Sequence, residues 1–208
     1  MTLLIIRHGE TPLNVARVLQ PPDTPLSDHG RAQAAALAQR LRSEPSLRPI
    51  ALVSSDLPRA LQTAQAIASA CGLALHTTAL LHERNFGDLR GLAYDTLGFD
   101  PLTSADAPPG GESAAQFSAR CNAAFAWVLA QQAALGGTLA VVTHGLVIRE
   151  WLQRGTLQLP AGMALPQRLA NTSLTVAGAA APHPVRLVDC SAHLAGGVGE
   201  DSASLSGG

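Results

Sequence analysis

Two histidines, far apart in the chain, each follow a short apolar run and precede a glycine. His8 comes just after the run 3–6, and His144 comes just after the run 139–142. Open α/β sheets bind ligands at the carboxyl ends of their parallel strands, so both histidines are expected in one cleft. A histidine can attack phosphorus, and Arg7, directly before His8, can hold charge on a phosphoryl group. The pattern predicts phosphoryl chemistry at a sheet edge.

The elements that must position these residues alternate along the chain. Strands are predicted at 3–6, 50–53, 73–77, 139–142, 174–176 and 185–188, and helices over about 28–42, 58–71, 114–135 and 146–154. This alternation favours an α/β fold, a three-layer α/β/α sandwich with a mostly parallel central sheet. The apolar stripe predicted for the second helix is Leu57, Leu61, Ala64 and Ala68.

The chain divides into one predicted domain and a tail. Residues 1–195 are expected to form a single domain, in which the irregular Gly-, Pro- and Asp-rich segment 83–112 is a lid over the sheet edge. Residues 196–208 are Gly/Ser-rich and are expected to be a flexible tail.

Composition excludes several classes of function. The 208 residues are 47% hydrophobic and 14% charged, which is typical of a globular protein with a substantial core. A net charge of −1 gives no reason to expect nucleic acid or a membrane surface as partner. Three widely spaced cysteines in no CxxC pattern indicate reduced thiols and a cytoplasmic location. We predict no cofactor and no metal site, because no HExxH motif or Cys/His cluster is present.

Five ordered blocks of the sequence resemble the histidine phosphatase (phosphoglycerate mutase-like) superfamily. The blocks are Arg7-His8-Gly9-Glu10-Thr11 with Asn14; Ser54-Ser55-Asp56-Leu57-Pro58-Arg59-Ala60 with Thr63-Ala64; Glu83 with Gly87 and Gly91; Pro109-Gly110-Gly111-Glu112-Ser113; and Val142-Thr143-His144-Gly145. Two later pieces, Asn171-Thr172-Ser173 and His193-Leu194, are similar to the phosphatase branch.

The resemblance implies a role for each catalytic candidate. His8 would be the nucleophile that is transiently phosphorylated, and His144 would stabilise the charge of the transition state. Glu83 would be the general acid that protonates the leaving group and then the base that activates water. Asp88 and His82 are its nearby rivals.

The resemblance also implies a phosphate-binding set. Its members are Arg7, Asn14, Arg59 and Gly145. Arginine offers a planar fork of donors to phosphate oxygens, and Arg59 lies near a predicted helix amino terminus, where anions are favoured. Asn14 could equally be a local helix cap, and Arg59 a solvated arginine early in its helix. The loop at Gln20-Pro21-Pro22 departs from the family, which often has glycine after the glutamine.

The composition of the predicted lid distinguishes between the mutase and the phosphatase reactions of the family. Mutases of the family carry extra basic residues in a longer middle insertion, whereas residues 91–112 contain no Arg or Lys and four acidic residues. We therefore expect a phosphatase acting on a small phosphorylated metabolite, although Arg84 and Arg90 remain candidate anion contacts. The alternatives are a cofactor-dependent phosphoglycerate mutase and a non-catalytic phospho-ligand-binding scaffold. Assembly as a homodimer is left open.

Overall fold

A six-stranded sheet forms the centre of the structure, a computed structural model that describes residues 1–195. The tail predicted at 196–208 lies outside the described residues. The strands are Thr2–Arg7 (β1), Ala51–Ser54 (β2), Leu75–Thr77 (β3), Thr138–Thr143 (β4), Leu174–Gly178 (β5) and Val185–Cys190 (β6). Their order is β3-β2-β4-β1-β5-β6. Only β5 runs against the others, pairing antiparallel with β1 and β6, so the sheet is mostly parallel as predicted.

Helices cover both faces of this sheet. They are Pro12–Val15 (α1), Asp28–Ser43 (α2), Pro58–Cys71 (α3), Ala114–Leu135 (α4) and Gly145–Gln153 (α5). Alternate residues of β1 point to opposite faces: Leu4 and Ile6 pack with α2 and α3, whereas Leu3 and Ile5 pack with α4 and α5. These two apolar clusters make the three-layer α/β/α sandwich predicted from the sequence.

The long helices begin and end where the sequence indicates. Ser27 caps α2 by accepting from the Gly30 N–H, and Ser113 forms a reciprocal capping box with Gln116 at the start of α4. Gly72 ends α3 with φ +69°, a left-handed conformation that glycine adopts without strain. The stripe predicted for α3 is wrong in part. Leu61 and Ala68 are only half-buried, and the apolar residues that α3 buries are Ala60, Ala64 and Ile67.

The amino end of α2 braces the loop that carries His8. The Ser27 N–H and hydroxyl donate to the Glu10 carbonyl and carboxylate at 2.9 and 2.7 Å, and Gln33 Oε1 accepts from the Glu10 N–H at 2.9 Å. Gly30 lies so close that a Cβ there would stand 2.0 Å from the Glu10 carbonyl oxygen. Only glycine fits this contact.

Residues 83–112, the predicted lid, form short turns rather than long helices. Two 3₁₀ turns, Gly87–Leu89 and Tyr94–Thr96, are the regular elements within it. Within the described part of the chain, no helix is both long and apolar enough to cross a membrane.

Candidate active site

The two histidines meet because their strands are neighbours. β1 and β4 are parallel and in register, with Arg7 opposite Thr143, and the His8 N–H donates to the Thr143 carbonyl at 3.0 Å. The imidazole centroids of His8 and His144 are 5.1 Å apart, and both residues are 0% exposed. The two histidine rings, separated by most of the chain in sequence, thus lie side by side in the protein interior.

The ring of His8 is fixed in one tautomer. Its Nδ1 lies 2.7 Å from the Gly9 carbonyl oxygen. Because a carbonyl oxygen can only accept, Nδ1 carries the hydrogen and the lone pair is on Nε2. The Asn171 amide donates to the His8 carbonyl at 3.1 Å, and the Gly9 N–H donates to Thr63 Oγ1 at 3.0 Å, so the backbone on both sides is held. The geometry suits attack through Nε2.

The Nε2 atom of His144 contacts a serine in the loop between β2 and α3. Its Nε2 lies 2.9 Å from Ser55 Oγ, which also accepts from the Leu57 N–H at 3.3 Å. A hydroxyl group can both donate and accept, so this contact fixes the orientation of the His144 ring. The Nδ1 of His144 has no hydrogen-bond partner among the described residues. Burial, then the charge of Arg59 and the neighbouring His8, hold the pKa of His144 well below its usual range.

A buried arginine stands beside the two rings at the start of α3. Pro58 occupies the first position of the helix, and Arg59 follows in its first turn, only 2% exposed. Burial, reinforced by repulsion from Arg90 and Arg7, lowers the pKa of Arg59 to about 10. Its side chain makes one long contact, 3.4 Å from Nη1 to the Pro21 carbonyl, and its Nε has no partner in the described region.

Arg7, at the end of β1, brings a second guanidinium to the same place. It is 1% exposed, and its Nη1 donates to the Leu169 carbonyl. Repulsion from Arg7, together with that from Arg90, adds to the effect of burial in lowering the pKa of Arg59. A bound anion relieves that repulsion, so the pair has the electrostatics of an anion site.

Two amide side chains complete the polar lining. Asn14 Oδ1 accepts from the Thr11 N–H at 3.2 Å and from the Asn171 amide at 3.4 Å. Gln20 Oε1 accepts from the Thr11 hydroxyl at 2.8 Å. The buried amide nitrogens of both Asn14 and Gln20 have no partner among residues 1–195. Asn14 therefore makes the capping contact with its oxygen and keeps its donor for another group.

Glu83 lies on the lid side of the site, 4% exposed. Its Oε1 accepts from the Arg84 N–H at 2.9 Å, and its Oε2 accepts from the Leu146 N–H, in the first turn of α5, at 3.1 Å. Burial raises the pKa of Glu83 above its ordinary 4.5, against the opposing effect of these hydrogen bonds and of Arg59. A carboxyl group with a raised pKa retains a proton to donate. Gly145 is the buried first residue of the same helix.

The structure separates Glu83 from its two rivals. Asp88 is exposed, and His82 is half-buried and pairs with the Asp56 carboxylate. Neither has the buried environment that displaces the pKa of Glu83.

Two arginines tie the lid to the rest of the fold. Arg84 donates to the Ser104 carbonyl at 2.8 Å and to further backbone carbonyls at Pro101, Asp106 and Glu112. Arg120 grips the Glu112 carboxylate with two bonds of 2.7 and 2.8 Å and donates to the His82 carbonyl at 2.7 Å. The guanidinium of Arg84 is thus occupied by backbone carbonyls of residues 101–112. The sequence predicted no role for Arg120, Gln20 or Ser55, although Ser55 lies in the second of the five blocks that resemble the family.

No group of three or more His, Cys, Asp or Glu side chains in the described region is arranged to hold a metal ion.

Known proteins share both the sequence and the fold of this chain. The model of the histidine phosphatase superfamily (branch 1) matches residues 3–186. Phosphoglycerate mutase-like protein 4 of Arabidopsis thaliana is 36% identical over 186 residues, 84% of this chain and 77% of that protein.

Two solved structures are similar over most of their length. A mycobacterial glucosyl-3-phosphoglycerate phosphatase in complex with VO3 has a TM-score of 0.70 and 32% identity, covering 85% of this chain and 90% of the other. A phosphoserine phosphatase mutant from Entamoeba histolytica in complex with phosphoserine has a TM-score of 0.75 and 26% identity, covering 93% and 98%. The chain belongs to branch 1 of the histidine phosphatase superfamily.

Proposed function

We propose that the protein is a metal-independent phosphatase that hydrolyses a small phosphomonoester through a phosphohistidine on His8. One observation carries the proposal. His8 Nε2 bears a lone pair in a buried cluster that also contains two arginines and His144, and the buried carboxyl group of Glu83 interacts electrostatically with one of those arginines, Arg59. This is the set of groups that phosphoryl transfer needs: a nucleophile, positive charge for the equatorial oxygens and an acid for the leaving group.

In the first step, His8 Nε2 forms a bond to phosphorus while the bond from phosphorus to the leaving oxygen breaks. Arg7, Arg59 and the amide of Asn14 hold the oxygens of the transferring group. The protonated carboxyl of Glu83 gives its proton to the leaving alkoxide, which departs as the alcohol.

In the second step, water attacks the phosphohistidine. The Glu83 carboxylate takes a proton from that water, the P–N bond breaks, and its electron pair returns to His8 Nε2. Inorganic phosphate leaves, and both residues recover their starting protonation states. His144 gains affinity for a proton when the dianion binds, because a nearby negative charge favours the imidazolium.

Hydrolysis is favoured over return of the phosphoryl group to a second substrate. A mutase must hold an additional anionic group near the site, yet residues 91–112 contain no Arg or Lys. Arg84, which could have served, is committed to lid carbonyls. Both phosphatases and a phosphoglycerate mutase are among the similar solved structures, so this choice rests on the residues of the chain itself.

The test is release of p-nitrophenol from p-nitrophenyl phosphate, with and without chelator, together with acid-quenching of a reaction on radiolabelled ester. We expect chelator-insensitive turnover and an acid-labile label on the protein, both abolished in His8→Ala. Phosphate binding with no turnover indicates a binding scaffold. Interconversion of 2- and 3-phosphoglycerate, stimulated by the bisphosphate, indicates a mutase. Either result overturns the proposal.

A further inference from the structure

We propose that Asn171 is a positioning residue that orients two members of the site at once, the nucleophile His8 and the phosphate-binding amide of Asn14. Asn171 acts through these two residues, which make the proposed contacts with the phosphoryl group. This role rests on the phosphatase function proposed above and goes beyond it, because it assigns the part of the fold that holds the site in its reactive geometry.

Asn171 lies in the buried turn that leads into β5, the strand beside β1 in the sheet. Both Asn171 and Thr172 are 0% exposed. The Arg7 N–H donates to the Ser173 carbonyl at 3.2 Å, and the Thr172 N–H donates to the His8 carbonyl at 3.2 Å. Hydrogen bonding between the β1 and β5 sides of the sheet therefore continues past the end of β1 to the nucleophile itself.

The amide nitrogen of Asn171 joins the backbone of the nucleophile to the side chain of Asn14. It donates to the His8 carbonyl oxygen at 3.1 Å and to Asn14 Oδ1 at 3.4 Å. The orientation of the Asn171 amide follows from its partner, because a backbone carbonyl can only accept and the atom that contacts it must be nitrogen. The two hydrogens of one amide group thus meet two acceptors of the active site.

The contact with Asn171 also determines which way the Asn14 amide faces. Asn14 Oδ1 accepts a second hydrogen bond from the Thr11 N–H at 3.2 Å. With both donors on this oxygen, the other end of the amide is left for another group, and the buried Nδ2 of Asn14 has no hydrogen-bond partner within the described part of the chain. A buried N–H without a partner is costly, and a phosphate oxygen satisfies it. Asn171 therefore makes Asn14 present a donor, rather than an acceptor, to an anion.

The backbone beside Asn171 has a conformation that a β-branched residue rarely adopts. Thr172 has φ +56°, in the left-handed region. Its hydroxyl donates to the Asn171 carbonyl at 2.7 Å and lies 2.9 Å from His193 Nε2. Strain of this kind persists only where the surrounding structure fixes it, and it is concentrated at functional sites. Here the strained turn brings the Asn171 amide and the Thr172 N–H to one carbonyl, that of His8.

Loss of the Asn171 amide leaves neither of its acceptors unpaired. The His8 carbonyl keeps the Thr172 N–H, and Asn14 Oδ1 keeps the Thr11 N–H. We therefore expect Asn171→Ala to fold. Its defect is a loss of orientation, because each acceptor is then held by one donor instead of two.

The test is a double-mutant cycle between Asn171 and Asn14. The Kd of inorganic phosphate and the kcat for p-nitrophenyl phosphate are measured for the wild type, Asn171→Ala, Asn14→Ala and the variant with both changes. Asn171→Asp keeps the shape of the side chain but has no N–H to donate, and it serves as the second variant if Asn171→Ala does not fold. Asn122→Ala, which changes an exposed asparagine of α4, is the control.

We expect Asn171→Ala to weaken phosphate binding at least about tenfold, the size of one hydrogen bond to a charged group. In the Asn14→Ala background the same change should weaken it less than about twofold, because the donor that Asn171 orients is absent there. The kcat should fall at least about tenfold in both backgrounds, because the His8 carbonyl loses a donor in both and the nucleophile is less well placed. Asn171→Asp should show both losses, and Asn122→Ala should show neither.

Each arm of the experiment can fail separately. Unchanged phosphate affinity in Asn171→Ala, or losses that simply add in the variant with both changes, overturns the action of Asn171 on Asn14. An unchanged kcat overturns its action on His8, and wild-type values in Asn171→Asp overturn both actions. A wild type that binds phosphate but hydrolyses no ester overturns the phosphatase function, while the cycle on phosphate affinity still decides the role of Asn171 at Asn14. A wild type that does not bind phosphate overturns both proposals.

Discussion

Replacing Arg59 with methionine is expected to stabilise the ligand-free protein while removing its affinity for phosphate. Arg59 is 2% exposed, and no salt bridge to it occurs in the described region. A buried charge without a partner destabilises a fold, because the unfolded chain returns that charge to water. Methionine has a similar length and fills most of the same space without a charge.

The size of the effect follows from the pKa of Arg59. It falls from an ordinary 12.5 to about 10, and one pKa unit corresponds to about 1.4 kcal/mol. The charged form is therefore disfavoured by about 3 kcal/mol in the fold. Methionine loses the long hydrogen bond to the Pro21 carbonyl, which costs about 1 kcal/mol. The expected net gain in the free energy of unfolding is about 2 kcal/mol.

Urea unfolding of the wild type and Arg59→Met, in a buffer free of phosphate and sulfate, measures this difference. Adding phosphate at about 100 times its Kd should raise the stability of the wild type by about 2.7 kcal/mol and leave the variant nearly unchanged. Arg42→Met is the matched control, since Arg42 is an exposed arginine of α2. A variant less stable than the wild type without anions, or equal stabilisation of both proteins by phosphate, would refute the reasoning.

Further outcomes are expected at three positions. With an alkyl phosphate as substrate, kcat/KM should fall as pH rises through the raised pKa of Glu83, with a midpoint above 4.5. The pH profile of Glu83→Gln should lack this fall at higher pH. If the fall persists in the variant, it belongs to another group. Burial lowers the pKa of His193 to about 4, so as pH falls the unfolded chain takes up a proton before the folded one. The free energy of unfolding should therefore fall between pH 6.5 and 4, by about 2 kcal/mol after allowance for partial exposure. Urea unfolding of His193→Gln should show a smaller fall, and an unchanged dependence of stability on pH would contradict the prediction. Gly30→Ala should cost more than about 2 kcal/mol because its Cβ meets the Glu10 carbonyl; a loss in thermal unfolding no larger than that of an ordinary surface change would show that the loop yields.

The strand ends could be predicted because they follow from local rules. An apolar run that ends at His8 or His144 defines a buried strand, and parallel strands expose their carboxyl ends at one edge. The capping signals at Ser27 and Ser113 are equally local, and both hold in the structure. The predicted sandwich follows from these signals alone.

Other features depend on contacts that no local pattern encodes. The buried face of α3 contains the polar residues Arg59 and Thr63 beside its apolar ones, so it differs from the apolar stripe that the sequence pattern predicts. Arg84 is an ordinary charged residue by sequence, and only the path of the lid shows that its guanidinium is surrounded by carbonyls. Ser55 reaches His144 across 89 positions of the chain, a contact that periodicity cannot anticipate.

The pKa shifts at the site share one direction, which under the proposed phosphatase function links substrate binding to catalysis. Burial moves Arg59, Glu83 and His144 toward their neutral forms. A bound phosphate dianion raises the pKa of Arg59 and of His144, because its negative charge favours their protonated forms. It raises the pKa of Glu83 further, because it repels a carboxylate. The substrate thereby strengthens the charge that holds it and keeps the proton on its own general acid. When phosphate leaves, His144 returns to the neutral form that burial favours, whereas Arg59, with a pKa of about 10, stays charged at neutral pH.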